Sequence, residues 1–155
     1  MDEITMRNKL NTTLLAAGLA LGLLSTTPVL AAQQEIVMAK NTGCVCCERW
    51  AAAMKQAGFN VKTQEQPDIT PIKDKAGVPQ ALRSCHTAMA GGYVFEGHVP
   101  PDLVAKVLKT HPHIAGLAVP GMPLKAPGMD AQGVTTPYQV IAFTKDGHTS
   151  VYAQR

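Results

Sequence analysis

Charge of either sign is scarce in this 155-residue chain: only 16% of its residues are Asp, Glu, Lys or Arg, and the formal net charge is +3. A nucleic-acid binder needs a clustered basic face, whereas the 14 Lys and Arg are dispersed along the chain, so that class is excluded. Aromatic residues make up 5%, with one Trp, which leaves no stacking platform for bases. Four cysteines are too few for a disulfide-dense mini-protein. An apolar content of 46% is too high for a wholly disordered chain. Turn formers, by contrast, are plentiful: 13 Gly and 11 Pro predict many turns and some irregular segments.

The N-terminus carries an export pattern. Arg7 and Lys9 are followed by Leu14 to Leu24, a stretch without a polar side chain. Ser25, Thr26, Thr27 and Pro28 break that run, and Val29-Leu30-Ala31 places small residues where a signal peptidase needs them. The stretch is too short for a membrane span and predicts a cleavable signal peptide over 1–31, with Met6 an alternative start. Cleavage leaves residues 32–155 as one domain with no stable membrane span. It removes two basic and two acidic residues, so the mature charge stays at +3. All four cysteines, Cys44, Cys46, Cys47 and Cys85, lie in this mature part. An exported protein meets an oxidising compartment. Three cysteines within four residues do not staple distant segments, and such clusters mean metal or redox chemistry more often.

Along the mature chain, Glu35 to Ala39 reads as a short buried strand, and a helix is predicted from Cys47 with Trp50, Met54 and Ala57 on its apolar stripe. Phe59 to Thr63 reads as a second strand, and a short helix is expected near Ile69 to Lys75. Thr87 to Ala90 and Tyr93 to Glu96 flank Gly91-Gly92 as a β-hairpin. Pro101 opens a helix with Leu103, Val104, Val107 and Leu108 on one stripe. Residues 116–137 hold four prolines and four glycines without periodicity and read as an irregular loop. Tyr138 to Phe143 and Thr149 to Tyr152 close the chain as a hairpin turning at Asp146-Gly147. This order predicts an α/β fold: a thioredoxin-like domain with an irregular Pro/Gly/Met loop and a C-terminal β-hairpin. In that fold Cys85 and His86 face Cys44, Cys46 and Cys47 from about forty residues away.

Three chemistries suit such a cluster. Cys44 and Cys47 have the Cys-x-x-Cys spacing of dithiol exchange, but the extra Cys46 offers competing pairings. Zinc favours tetrahedral thiolate and imidazole ligands, for which Cys-x-Cys-Cys is cramped, so zinc is the less favoured metal. Cuprous copper is soft and selects thiolate and thioether, and crowded, sulfur-sharing cysteines suit it. A cysteine at a helix N-terminus also gains thiolate character.

Four ordered stretches then carry a specific resemblance: Gly43-Cys44-Val45-Cys46-Cys47, Ser84-Cys85-His86-Thr87-Ala88, Gly92 to Pro100 (Gly-Tyr-Val-Phe-Glu-Gly-His-Val-Pro), and Gly116 to Pro123 (Gly-Leu-Ala-Val-Pro-Gly-Met-Pro). Together the chain resembles the CopG-type copper-resistance family, long catalogued as a domain of unknown function, over about Glu35 to Tyr152. Lys125-Ala126-Pro127-Gly128-Met129 departs slightly from the family's loop pattern. The resemblance implies a periplasmic, thioredoxin-like protein that binds copper through Cys44, Cys46, Cys47 and Cys85 and interconverts Cu(I) and Cu(II). Other periplasmic copper-handling proteins are then expected partners.

His86, set by the same turn as Cys85, joins the expected ligands. Met122, Met129 and His98 have weaker claims: a Met fills gaps under a loop, and His98 between strand and helix suits a cap or a buried hydrogen bond. His111, His113 and His148 carry no expected ligand role. Three functions remain open at this point: a copper-binding resistance protein with or without oxidoreductase turnover, a thiol–disulfide oxidoreductase, and a passive copper store or chaperone.

Overall fold

The computed structural model describes residues 34–129 and 131–155, so the export segment 1–31 lies outside the described residues. The described chain is mixed α/β, with a single seven-stranded sheet in the order β2-β1-β3-β4-β5-β6-β7. In chain order the elements are β1 (Glu35–Asn41), α1 (Val45–Gln56), β2 (Asn60–Gln66), α2 (Thr70–Lys75), β3 (His86–Ala90), β4 (Tyr93–Gly97), α3 (Pro101–Thr110), β5 (Gly116–Val119), β6 (Gln139–Phe143) and β7 (Thr149–Gln154), with a short 3-10 turn at Gln80–Leu82. Among the described residues no helix is long and apolar enough to cross a membrane.

Strand directions decide what meets at each end of the sheet. β1 and β3 are antiparallel with Lys40 opposite His86, and β3 and β4 are antiparallel with Thr87 opposite Glu96. β4 and β5 are parallel with Gly97 beside Val119. The segments that leave β1, enter β3, leave β4 and leave β5 therefore emerge at one end. That end holds Cys44 to Cys47, Cys85, His98 and the start of the Pro/Gly/Met loop.

Strand alternation sorts the two faces. Ala88, Ala90 and Phe95 join α1 (Cys47, Trp50, Ala51, Met54) and α3 (Leu103, Val104, Val107) in the main core. Leu82, Ala118 and Phe143 form a smaller cluster. The β3–β4 hairpin turns through Gly91 and Gly92, both with positive φ, as a two-residue turn of this kind needs.

Three local readings of the sequence are corrected. The first helix starts at Val45, not Cys47, with Cys44 as its N-cap residue, because the turn closes early through a bond from Cys44 N–H to Asn41 C=O. The helix also ends at Gln56, leaving Ala57 exposed at its C-cap, and Ala51 takes its place on the buried stripe. Residues 116–119, expected to be loop, form β5, buried along its whole length. A strand covered on both faces shows no polar alternation, and this one is only four residues long. Gly116 is required there, since a Cβ would sit 2.0 Å from Val94 C=O oxygen.

Candidate metal centre

The first turn of α1 presents Cys44, Cys46 and Cys47 together. Cys44 and Cys47 are joined as a disulfide, while Cys46 and Cys85 are free and half-buried. Cys46 Sγ lies 3.6 Å from Cys44 Sγ and 3.9 Å from Cys85 Sγ. Cys47 is fully buried and its sulfur faces the Cys85 carbonyl oxygen at 3.7 Å. Lys40, at the end of β1, ties this helix to β2 by reaching Glu48 at 2.9 Å and Glu65 at 2.7 Å.

Cys85 is shared with two buried imidazoles. Its sulfur lies 3.3 Å from His86 Nδ1 and 3.0 Å from His98 Nε2. His98 Nδ1 stands 2.7 Å from the Pro127 carbonyl oxygen. A carbonyl only accepts, so Nδ1 carries the proton and donates, and Nε2 is the nitrogen that faces Cys85. Of the two roles expected for His98 besides a weaker ligand claim, the cap is absent, since α3 has no side-chain cap, and the buried hydrogen bond is present, to the Pro127 carbonyl. The ring also lies against Cys85. Burial pushes the Cys85 thiol up to about 12, with the neighbouring Cys46 adding to it. Burial, with lesser help from His98 and Lys73, holds His86 well below its usual range, so its ring stays neutral. His86 packs on Trp50 with ring centroids 4.5 Å apart. Its Nε2 is buried without a hydrogen-bond partner among the described residues. Trp50 is fixed in turn by an indole N–H bond of 2.9 Å to the Val99 carbonyl.

A polar network on the other face anchors this segment. The Glu96 carboxylate is fully buried. One oxygen accepts from Lys73 Nζ at 2.6 Å and from the Ser84 N–H at 2.6 Å, and the other accepts from the Thr87 hydroxyl at 2.7 Å. Lys73 also donates to Thr87 at 3.0 Å. The carboxylate thus grips the chain on both sides of Cys85-His86. Sequence reasoning missed Lys73, Thr87 and Glu96. The available signal was a lone acid among Tyr93, Val94 and Phe95 in a strand.

The loop after β5 reaches the same place. Gly128 lies so close to α1 that a Cβ would stand 2.6 Å from Trp50 N and 3.0 Å from the Cys46 carbonyl oxygen. Met129 is half-buried against the main core, whereas Met122 is exposed and has a positive φ.

Two overlapping donor sets result. Cys44, Cys46, Cys47 and Cys85 form one, and Cys85, His86 and His98 form the other, each with its ligand atoms within 4.8 Å of one another. The first is soft sulfur and the second mixes sulfur with imidazole, a combination suited to copper. The backbone carbonyl that holds His98 Nδ1 is the kind of outer contact that orients a metal-binding imidazole. Disulfide sulfurs are not thiolates, so Cys44 and Cys47 join the soft set only when reduced.

The family model described as "Protein of unknown function, DUF411" matches residues 82–129, the stretch that runs from the Cys85-His86 turn to Met129. No curated protein matches the chain. Two solved structures do, "Copper resistance protein copG- Form 1" and "Copper resistance protein copG- Form 2". Each is 34% identical, with a TM-score of 0.75, over 79% of this chain and 98% of the other. A likeness of that identity over nearly the whole length of those structures, together with a Cys/His cluster able to bind metal, places this chain in the CopG copper-resistance family.

Proposed function

We propose that this protein is exported through a cleavable signal peptide over 1–31 to the periplasm, where its mature part, 32–155, binds copper as part of copper resistance. Cu(I) is held on Cys44, Cys46, Cys47 and Cys85, with His86 and His98 beside Cys85. Met122 and Met129 are thioether donors along the path of entry or transfer. The observation that carries this reading is the sharing of Cys85 between an all-sulfur set and a sulfur–imidazole set. Thiolates favour Cu(I), and imidazoles accept both oxidation states, so neighbouring sets with a common ligand support interconversion of Cu(I) and Cu(II). The strand order β2-β1-β3-β4, with α1 leaving the end of β1, supports the thioredoxin-like assignment.

One observation favours a second reading, thiol–disulfide exchange with other exported proteins: the Cys44–Cys47 disulfide sits at the N-terminus of α1. Replacing Cys85 or Cys46 by Ser separates the two. Both variants keep the Cys44 and Cys47 pair, so an exchange enzyme retains its activity. A copper site loses a soft ligand, and both variants then yield Cu(I) to a competing chelator and protect cells less. Undiminished copper binding in both, with robust disulfide reduction by the parent, assigns the protein to exchange instead.

A further inference from the structure

We propose that Cys46 and Cys85 form a second dithiol/disulfide couple, separate from Cys44–Cys47, so that the metal-free chain closes two disulfides at one end of the sheet. Both residues are free thiols, and their sulfurs are 3.9 Å apart. Bonding needs an approach of about 2 Å, and one rotamer step of a cysteine moves its sulfur farther than that. The pairing is selective. Cys46 is the cysteine whose sulfur contacts the Cys85 sulfur, whereas the Cys47 sulfur faces the Cys85 carbonyl oxygen and is already bonded to Cys44. Both segments are held in place: Cys46 lies in the first turn of α1, and the chain around Cys85 is gripped through Ser84 and Thr87 by Glu96. Both thiols are half-buried rather than sealed, so a small oxidant reaches them.

The co-reactant is a small-molecule disulfide, R–S–S–R. One protein sulfur, as thiolate, attacks it, forming a mixed disulfide and releasing R–S⁻. The second protein sulfur attacks the mixed disulfide, the Cys46–Cys85 bond forms, and a second R–S⁻ leaves. The two protons from the cysteines end on the two R–SH products. The protein pair is oxidised by two electrons and one R–S–S–R is reduced by two. This couple stands on the thiol geometry alone, whether or not copper is the cargo. It extends the chemistry of the cluster from one redox pair to two.

The test uses the metal-free exported protein with oxidised glutathione as the probe, read by thiol counting under denaturing conditions and by peptide mass spectrometry without reductant. Free thiols are expected to fall from two to none per chain, with no glutathione retained and the peptide 41–49 linked to 84–106. Cys85→Ser is expected to keep glutathione on Cys46, and Cys46→Ser to keep it on Cys85, both without the link between those peptides. Two thiols that persist in the parent, or glutathione that stays bound to it, overturn the proposal. So does a 41–49 to 84–106 link that survives in Cys46→Ser, since Cys44 or Cys47 is then the partner of Cys85.

Discussion

Cys85 Sγ sits 3.0 Å from His98 Nε2, while the opposite nitrogen of the same ring is 2.7 Å from the Pro127 carbonyl oxygen. The loop beyond β5 thus decides which nitrogen of His98 faces the sulfur. If this imidazole serves the metal, His98→Ala lowers copper affinity, on the order of 10–100-fold as for other lost contacts around metal ligands. Chelator competition measures it, and a change below about twofold assigns His98 to structure alone.

The buried neutral His86 predicts an acid-sensitive fold. Its folded-state value is depressed, whereas in the unfolded chain it titrates near its usual value of about 6.5. Unfolding therefore takes up a proton below that value, and the contribution is fully present above it. Stability of the metal-free protein should fall by up to about 1.4 kcal/mol per pH unit as pH drops below about 6.5. Denaturant titrations from pH 7 to pH 5 check this, and His86→Gln should flatten the slope.

Breaking the ion pair beneath Cys85 should be costly. Glu96→Gln leaves Lys73 buried without its charged partner, an effect of about 3–5 kcal/mol. Lys73→Met combined with Glu96→Leu removes both charges and should recover much of that loss. Chemical denaturation measures both, and equal instability in the single and double variants would argue against a charge-burial cause.

Gly128→Ala tests the loop contact. Its φ is positive and a Cβ there meets Trp50 backbone, so about 1–3 kcal/mol of stability should be lost. Faster hydrogen exchange at the start of α1 is the accompanying sign. A substitution without effect on either would show that the loop does not bear on that helix.

The large elements were legible because their signals are local. Gly91-Gly92 between two short β-rich runs marks a hairpin, and Pro101 with its apolar stripe marks α3. The meeting of the cysteines was readable only through the order of elements, which sets strand direction and hence which ends coincide. β5 was hidden because a four-residue strand covered on both faces has neither length nor alternation to show. Lys73 and Glu96 were hidden for a different reason. They are 23 residues apart, and nothing local in either segment predicts an ion pair. A buried hydrogen bond for His98 was legible from its place between strand and helix, but its partner, the Pro127 carbonyl, was not, because it lies in a segment without periodicity.

The central claim is that the cysteine cluster and its two histidines hold copper. Metal analysis of the protein recovered from the periplasm, with electron paramagnetic resonance before and after reduction, tests it most directly. The account predicts at least one copper per chain, little of it exchanged for zinc, and a Cu(II) signal that disappears on reduction while the metal stays bound. Protein recovered from copper-exposed cells with no copper, or with zinc as its sole metal, would contradict it.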